Sequence, residues 1–281
     1  MLSLIIPTYN CIDYLDETLE SVISRPWEDV ELILVDDGSD DGTAEKLALC
    51  RDALKDNTKI LICEHRGVSY ARNTGIEASS GEWIAFMDCD DVLKDVFFER
   101  ALPLLDNETD LYIFSFERVE FSRKEGSLDL VEHVTPMTVG NRRYKTVGEF
   151  ADQYIRTRNL LVFSACNKFY RRSLLNKYGI RFREDMFFGE DRMFNFDYLR
   201  PCGSIMTSQL CMFRYMRRKA DSMSRKVFPD YYNTIIMLHE AKVNCFTELS
   251  KETTEEEKAV FSKKSLAAEI KRMEENKKNK R

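Results

Sequence analysis

Four short apolar runs in the first hundred residues have the length of buried strands, and segments with helical spacing separate them. The runs cover residues 2–6, 30–35, 60–63 and 83–87. In the segments that begin near Ile12, Thr43 and Val68, apolar residues recur every three or four positions. This alternation predicts an α/β fold with a mostly parallel central sheet and helices on both faces.

After about residue 110 the predicted strands and helices become longer and less regular. The pattern predicts an aromatic strand over 111–121, a loop or hairpin over 122–143 and a further strand over 211–215. It predicts helices near 147–158, 171–178, 190–199 and 229–249. We therefore divide the chain into one unit over 1–225 and a helical, charged C-terminal extension over 226–281.

The end of the chain is basic, although the whole chain has a formal net charge of −6. Its last twenty residues carry eight Lys and Arg against three Glu, and Leu266, Ile270 and Met273 are spaced as one face of a helix. We predict a solvated, peripheral and mobile helix from about Phe261 onward. Peripheral contact of this basic helix with the anionic inner face of a membrane is the alternative.

Composition and cysteine usage narrow the class of protein. Apolar residues make up 43% of the chain, which excludes a disordered or fibrous protein, and the acidic balance argues against nucleic acid as a partner. The eight cysteines form no Cys-x-x-Cys pair and the three histidines are far apart, so a zinc site is disfavoured. No apolar run reaches the roughly 18 residues of a membrane span, and the first residues lack the features of a secretory leader. We expect a soluble cytoplasmic protein with free thiols.

Polar side chains follow three of the four predicted strands, at the ends where a parallel sheet binds its ligands. Asp88 and Asp90 come directly after the fourth strand, and two such carboxylates suit Mg²⁺ or Mn²⁺ together with phosphate oxygens. A strand-to-helix turn with an N-cap is an alternative explanation of the acidic stretch over 36–43. The three stretches are Pro7-Thr8-Tyr9-Asn10, Asp36-Asp37-Gly38-Ser39-Asp40-Asp41-Gly42-Thr43 and Asp88-Cys89-Asp90-Asp91.

Several common ligand motifs do not fit these stretches. The first strand is not followed by Gly-x-Gly-x-x-Gly, and the chain has no Gly-x-x-x-x-Gly-Lys loop, so dinucleotide and P-loop sites are disfavoured. The loop from Asp37 begins like an EF-hand, but Ala48 stands where a bidentate Glu is required. An EF-hand calcium site is therefore excluded.

Four motifs occur in a fixed order: Leu4-Ile5-Ile6-Pro7-Thr8-Tyr9-Asn10, Leu34-Val35-Asp36-Asp37-Gly38-Ser39-x-Asp41-Gly42-Thr43, Ala71-Arg72-Asn73-x-Gly75 and Phe86-Met87-Asp88-Cys89-Asp90-Asp91. Together they resemble the bacterial family 2 of glycosyltransferases, which has the GT-A fold. Later, Asn167-Lys168-Phe169-Tyr170-Arg171-Arg172 and Gly189-Glu190-Asp191 are similar to acceptor-side segments of that family. The resemblance implies a GT-A domain over 1–225, with a nucleotide-binding half over 1–110 and an acceptor half over 111–225.

The resemblance further implies an inverting, metal-dependent enzyme that moves a sugar from a UDP-sugar to a glycan or lipid-linked acceptor in surface polysaccharide synthesis. Asp191 would be the general base, Asp90 would bind Mg²⁺ or Mn²⁺, and Asp88 would lie near the ribose and the donor sugar. The other implied site residues are Pro7, Thr8, Tyr9, Asn10, Asp37 and Arg72 for the nucleotide-sugar, Arg217 and Ser222 for the diphosphate, and Asn167, Lys168 and Glu190 for the acceptor.

Simpler explanations stay open for several of these residues, and two other functions stay open for the chain. Asp191 could merely compensate a helix dipole. Asn167 and Lys168 could be a surface pair, and Arg217 could lie on a solvated face. A sugar nucleotidyltransferase shares a related sheet, but the Gly-rich basic loop expected after its first strand is absent here. A catalytically inactive nucleotide-sugar-binding protein is the other alternative.

Overall fold

A mixed sheet of ten strands forms the centre of the computed structural model, which describes residues 1–24, 29–50, 54, 56–123, 130–158, 160–218 and 230–278. The strands are β1 (Leu2–Thr8), β2 (Val30–Asp36), β3 (Thr58–Ile62), β4 (Trp83–Phe86), β5 (Val92–Leu93), β6 (Leu111–Arg123), β7 (Leu130–Met137), β8 (Arg142–Tyr144), β9 (Lys168–Arg171) and β10 (Ile205–Arg217). The helices are α1 (Ile12–Ile23), α2 (Thr43–Cys50), α3 (Val68–Ala78), α4 (Val147–Thr157), α5 (Arg172–Lys177), α6 (Glu190–Leu199), α7 (Tyr231–Leu249) and α8 (Glu255–Lys278).

The first half of the sheet is parallel, as the alternation of strands and helices predicts. The strand order is β3-β2-β1-β4-β9-β6-β10-β5, and the first four strands run parallel to one another. All seven residues of β1 and of β2 are buried, because helices cover both faces. The four apolar runs of the sequence are these four strands, so the predicted fold class is confirmed.

Helix α3 packs unusually close to the sheet. A Cβ atom added to Gly75 would lie 2.4 Å from Cγ2 of Ile5, so only glycine allows α3 to approach β1 this closely. The helix thereby carries Arg72, three residues earlier, toward the carboxyl edge of the sheet.

The second half of the sheet differs from the predicted pattern in two places. Strand β9 runs antiparallel between β4 and β6, and no periodicity in the sequence predicts it. Strand β10 begins at Ile205, earlier than the predicted 211, and lies parallel to β6. The segment predicted as a loop or hairpin contains β7, which pairs antiparallel with β6.

The C-terminal helices pack against the unit over 1–225, so the prediction that the tail from Phe261 is peripheral is wrong. The ring of Phe246 on α7 stacks on that of Tyr154 on α4, with 3.8 Å between the centroids, and Phe261 on α8 lies beside both and is buried. Two residues of the predicted apolar face of α8 point toward solvent: Leu266 is 40% exposed and Ile270 is 45% exposed. Within the described part of the chain, no helix has the length and apolarity needed to cross a bilayer.

Glu31 fastens the amino edge of the parallel sheet. Its carboxylate is buried and accepts hydrogen bonds from the Ser3 hydroxyl (2.5 Å) and the Ser80 N–H (2.8 Å), and the Lys59 ammonium lies 2.7 Å away. Burial by itself would raise the pKa of Glu31, but these donors outweigh it and lower the pKa to about 2.

We expect acid to remove the stabilisation that Glu31 supplies. Because the folded-state pKa is below the unfolded value, the contribution is present above about pH 4.5 and is lost as the pH falls toward 2. The variant Glu31→Gln should therefore unfold with about 3 kcal/mol less free energy at neutral pH, a deficit that shrinks on acidification. Urea unfolding of both proteins between pH 3 and 7 measures this, and a deficit that does not change with pH would contradict it.

Candidate active site

The carboxyl ends of β1, β2 and β4 lie side by side at one edge of the sheet. Thr8 at the end of β1 pairs with Asp36 at the end of β2, and the N–H of Met87 after β4 donates to the carbonyl of Ile5 (3.1 Å). The three polar stretches of the sequence therefore meet at this edge.

Several residues of these stretches support the backbone rather than face a ligand. Asp36 is fully buried and accepts a hydrogen bond from the Thr8 hydroxyl (3.1 Å). Asp41 accepts from the N–H of Ile12 (3.0 Å) and from that of Thr43 (2.9 Å), which ties the start of α1 to the start of α2. The turn explanation that the sequence left open therefore holds for Asp36 and Asp41.

The stretch after β1 divides into buried and accessible side chains. Pro7 and Thr8 are buried within the strand, so these two predicted nucleotide contacts have no accessible side chain. Asn10 has φ +48° and donates its side-chain amide to Asp40 (2.8 Å). Tyr9 is 45% exposed, which leaves it as the accessible aromatic ring of this stretch.

Asp37 orders the turn that leads into α3. Its buried carboxylate accepts hydrogen bonds from the N–H groups of Arg66 and Gly67, both at 2.8 Å, and lies 2.9 Å from Nδ1 of His65. The His65 ring stacks on Tyr9, with 4.2 Å between centroids and 18° between the planes. The result is a pair of stacked, about half-exposed rings at the carboxyl edge, which we name the ring surface. No motif in the sequence indicates His65, because it reaches Tyr9 only through the turn that Asp37 holds.

Arg72 lies at the junction of the two halves of the domain. Its buried guanidinium donates to Asp88 (2.9 Å) after β4, and to Glu190 (3.1 Å) and Asp191 (2.8 Å) at the start of α6. Burial opposes its charge, but Asp191 and Asp88 outweigh burial and raise the pKa of Arg72 well above its usual value. Arg72 therefore binds carboxylates, whereas the family resemblance implies a contact with uracil and ribose.

Asp191 is held from outside its own helix. One carboxylate oxygen accepts from Arg72, and the other accepts from the N–H of Ala165 (3.1 Å) in the loop before β9. Gly189 starts the helix with φ +82°, and a Cβ there would lie 2.3 Å from Leu238 on α7. The side chain of Asp191 is nevertheless 23% exposed. Compensation of a helix dipole needs none of these contacts, so that explanation does not account for the arrangement.

The environment of Asp191 also changes its proton affinity. Burial is the main cause that raises the pKa, the charges of Glu190 and Asp88 raise it further, and Arg72 opposes them. The net effect is a pKa of about 6, against the usual 3.8. A carboxylate with such a pKa can be ionised at neutral pH and still accept a proton effectively.

The acidic turn after β4 contains two kinds of carboxylate. Asp91 is fully buried, accepts from the N–H of Met216 (2.9 Å) and so fastens the end of β10 to the turn. Burial, with the charges of Asp88 and Asp90 added, raises the pKa of Asp91 well above its usual value. Asp88 and Asp90 are partly exposed. We name the surface between this turn and the start of α6, where Arg72 bridges Asp88 to Glu190 and Asp191, the cleft.

The donor set of this turn fits a divalent cation that binds together with a phosphorylated ligand. Mg²⁺ and Mn²⁺ bind through one or two carboxylates and complete their coordination with phosphate oxygens and water. Asp88 and Asp90 supply two such carboxylates. Within the described ranges, no group of three or more His, Cys, Asp or Glu side chains converges as a protein-only metal site.

The residues predicted on the acceptor side occupy two different environments. Asn167 and Lys168 are fully buried, so they are neither a surface pair nor a direct contact for an acceptor. The Lys168 ammonium donates to the carbonyls of Leu161 (2.8 Å) and Ser164, and burial lowers its pKa to about 7. These two side chains therefore hold the loop that presents Ala165 to Asp191. Glu190 is 16% exposed and lies at the cleft.

Of the two residues predicted to bind the diphosphate, one is described. Arg217 at the end of β10 forms an ion pair with Glu120 of β6, so its charge already has a protein partner. Ser222 lies outside the described residues.

A parallel sheet edge with an exposed ring surface, an acidic turn whose carboxylates suit a cation, and a near-neutral carboxylate fits a transferase that uses a nucleotide-activated donor. The chain belongs to glycosyl transferase family 2, whose sequence model matches residues 3–179. The prediction of this family from the four motifs is therefore confirmed. The matched segment ends before α6, so the position of Asp191 in the site rests on the structure.

Individual relatives agree with this family. The uncharacterized glycosyltransferase EpsJ of Bacillus subtilis is 29% identical over 204 residues, which are 71% of this chain and 56% of EpsJ. The chain thus spans about half the length of the curated relatives it matches.

Solved structures share the fold of this chain. The crystal structure of residues 1–349 of S. aureus TarS with UDP-GlcNAc superposes with a TM-score of 0.69, at 23% identity, over 94% of this chain and 71% of that one. The structure of the mannosyltransferase PcManGT of Pyrobaculum calidifontis, in complex with GDP-Man and Mn²⁺, superposes with a TM-score of 0.57 at 16% identity. The superposition covers 94% of this chain and 68% of PcManGT. Both structures share the GT-A fold with this protein.

Proposed function

We propose that this protein is an inverting, metal-dependent glycosyltransferase that moves a sugar from a UDP-sugar to a glycan or lipid-linked acceptor in the synthesis of a surface polysaccharide. The observation that carries the proposal is the Arg72 junction. It joins a carboxylate of the acidic turn to a carboxylate with a near-neutral pKa on the opposite wall of the same cleft. Both carboxylates are partly exposed, so donor and acceptor can meet over their exposed sides.

The ring surface of Tyr9 and His65 is the place for the uracil of the donor. Stacking on aromatic rings is a general way to hold a nucleobase, and Asp37 fixes the orientation of His65. The complex of TarS contains UDP-GlcNAc, which supports a uridine donor, whereas that of PcManGT contains GDP-Man. A direct comparison of UDP and GDP therefore belongs in any binding assay.

Asp90, with Asp88 beside it, is the place for Mg²⁺ or Mn²⁺. A divalent cation bound there would neutralise the negative charge that develops on the leaving diphosphate. PcManGT binds Mn²⁺ in its complex, which supports this assignment. Because Arg72 donates to Asp88, that carboxylate is oriented before any ligand binds.

Asp191 is the general base for the acceptor hydroxyl. It takes the hydroxyl proton as the oxygen attacks the anomeric carbon of the donor sugar, the bond to the diphosphate breaks on the opposite side, and the configuration inverts. The N–H of Ala165 and the Arg72 guanidinium hold the carboxylate in place for this step. Glu190 accepts from the same guanidinium and is the adjacent carboxylate to test.

A cytoplasmic site of action at the inner face of a membrane remains part of the proposal. All eight cysteines are free, which suits a reducing compartment. Leu266 and Ile270 project from α8 among basic residues, which would favour contact with a membrane that holds a lipid-linked acceptor.

We expect UDP to raise the thermal unfolding temperature only when Mg²⁺ or Mn²⁺ is present. Without a cation, Asp88 and Asp90 repel the diphosphate, and a ligand stabilises a protein only to the extent that it binds the native state. Differential scanning fluorimetry with UDP, GDP and NADH, each with and without Mn²⁺, tests the proposed function. Equal shifts with and without metal, or a shift with NADH and none with UDP, would contradict it. Metal-dependent UDP binding without UDP release from any UDP-sugar would favour an inactive nucleotide-sugar-binding protein.

A further inference from the structure

Three charged side chains are buried together where α6, α7 and α8 meet. Glu269 of α8 is 5% exposed, and one of its carboxylate oxygens lies 3.2 Å from Arg192 of α6 and 3.2 Å from Lys242 of α7. Arg192 and Lys242 are themselves buried. Buried charges are stable only when they are paired, so Glu269 compensates two cations at once.

This cluster touches both elements that hold the proposed base. Arg192 is the next residue after Asp191 in the first turn of α6, and its guanidinium lies over the ring of Phe163, 4.8 Å from the centroid. The Lys242 ammonium lies 5.6 Å from the same ring. Phe163 belongs to the loop whose Ala165 N–H binds the Asp191 carboxylate.

A further hydrogen bond links the loop to the helix directly. The side-chain amide of Asn195 donates both to the carbonyl of Phe163 (3.1 Å) and to the backbone carbonyl of Asp191 (2.7 Å). The loop, the first turn of α6 and the cation cluster are therefore one packed unit. A displacement of Arg192 would move the backbone next to Asp191.

Loss of the Glu269 charge has a definite electrostatic consequence. Arg192 and Lys242 would then be two buried cations without a shared carboxylate, and they would repel each other. Arg192 stays charged in any environment, so its relief is a movement toward solvent, and such a movement pulls on the first turn of α6. Catalytic geometry tolerates little such movement, because a displacement of about 1 Å can reduce a rate by about 100-fold.

We propose that Glu269 is a positioning residue that acts through Arg192 to hold Asp191 in its catalytic place. The C-terminal helix α8 is therefore part of the catalytic unit, although it lies outside the family-matched segment. This inference rests on the proposed role of Asp191.

The test compares Glu269→Gln with Glu274→Gln, an exposed glutamate on the same helix. Hydrolysis of UDP-sugars, including UDP-GlcNAc, is followed by UDP release with Mn²⁺. We expect Glu269→Gln to lower kcat by about 10- to 100-fold, with KM for the donor within twofold and the thermal shift by UDP retained. Glu274→Gln should behave as the unaltered protein. Hydrogen–deuterium exchange should show faster exchange in the first turn of α6 for Glu269→Gln alone.

Two further variants separate positioning from a general loss of structure. Glu269→Asp keeps the charge and should recover most of kcat, and it remains informative if Glu269→Gln fails to fold. Arg192→Met combined with Glu269→Gln should be no slower than Arg192→Met alone, since the effect passes through Arg192. Equal kcat and equal exchange for Glu269→Gln and Glu274→Gln would overturn the inference, as would a parallel loss of kcat and UDP binding. If the unaltered protein releases no UDP from any UDP-sugar, the proposed function fails. The hydrogen–deuterium exchange of the first turn of α6 still decides, by itself, whether Glu269 holds the turn that contains Asp191.

Discussion

The variant Asp191→Asn should transfer sugar about 10²–10⁴-fold more slowly than the unaltered protein, which is the usual contribution of a positioned general base. Asparagine keeps the shape of the side chain, and its single oxygen can accept from either Arg72 or Ala165, but it cannot take a proton. UDP binding with Mn²⁺ should stay unchanged, because the ring surface and the acidic turn are intact. Rates of UDP release and UDP affinity by calorimetry measure the two effects separately.

The pH dependence gives an independent check on the same residue. Asp191 must be ionised to act as a base, and its pKa is about 6. The rate of the unaltered protein should therefore rise as the pH increases through about 6 and level off above it, and Asp191→Asn should lose this limb.

Neighbouring acids supply the controls for Asp191. Asp185→Asn changes an exposed aspartate in the preceding loop and should leave the rate unaltered. If Glu190→Gln abolishes transfer while Asp191→Asn retains it, the base is Glu190. Loss of UDP binding in Asp191→Asn would make Asp191 a structural residue and remove the base from the proposed mechanism.

The variant Arg72→Met should be the most destabilising single change in the site. Removal of one partner from a buried ion pair costs about 3–5 kcal/mol, and here three carboxylates lose the same cation. Without Arg72 the pKa of Asp191 should rise above 6, since the arginine is the charge that lowers it. The unfolding free energy of the variant should therefore recover as the pH falls and Asp191 takes up a proton.

Urea unfolding at pH 5.5 and pH 8 measures this effect. Arg72→Lys should rescue little, because an ammonium cannot bind carboxylates on both walls of the cleft in the way that a guanidinium does. Arg183→Met serves as the control, since Arg183 is 43% exposed and exposed ion pairs contribute about 0–1 kcal/mol. An Arg72→Met protein as stable as the control at pH 8 would show that Arg72 does not hold the cleft together.

The parallel half of the fold can be predicted from the sequence, because strands buried on both faces are continuous apolar runs. Strand β9 cannot be predicted in this way, because it begins with Lys168 and ends with Arg171, and charged residues normally argue against a central strand. Lys168 is tolerated there because its ammonium donates hydrogen bonds to carbonyls of the preceding loop. Spacing along the chain contains no trace of that loop conformation.

The site shows the same division between local and long-range causes. The position of the acidic stretches at the sheet edge can be predicted, since the ends of the strands alone determine where they lie. The role of Arg72 depends on α3 meeting the start of α6, more than a hundred residues later, and the motif by itself suggests a nucleotide contact. The burial of Glu269 depends likewise on two cations from other helices. The basic composition of the tail contains no sign of these contacts and therefore predicts, wrongly, a peripheral helix.

Strand β9 also bears on how the molecule can move. It hydrogen-bonds to β4 on one side and to β6 on the other, so a single continuous sheet joins the first half of the domain to the second half. A hinge between the halves would have to break these ladders, in contrast to enzymes whose two lobes close on a flexible linker. The spacing between the acidic turn and Asp191 is therefore set by a stiff frame. We therefore expect any opening that admits or releases a ligand to come from loops at the carboxyl edge and not from closure of two lobes. The rate of those loop motions would limit turnover if product release is slow.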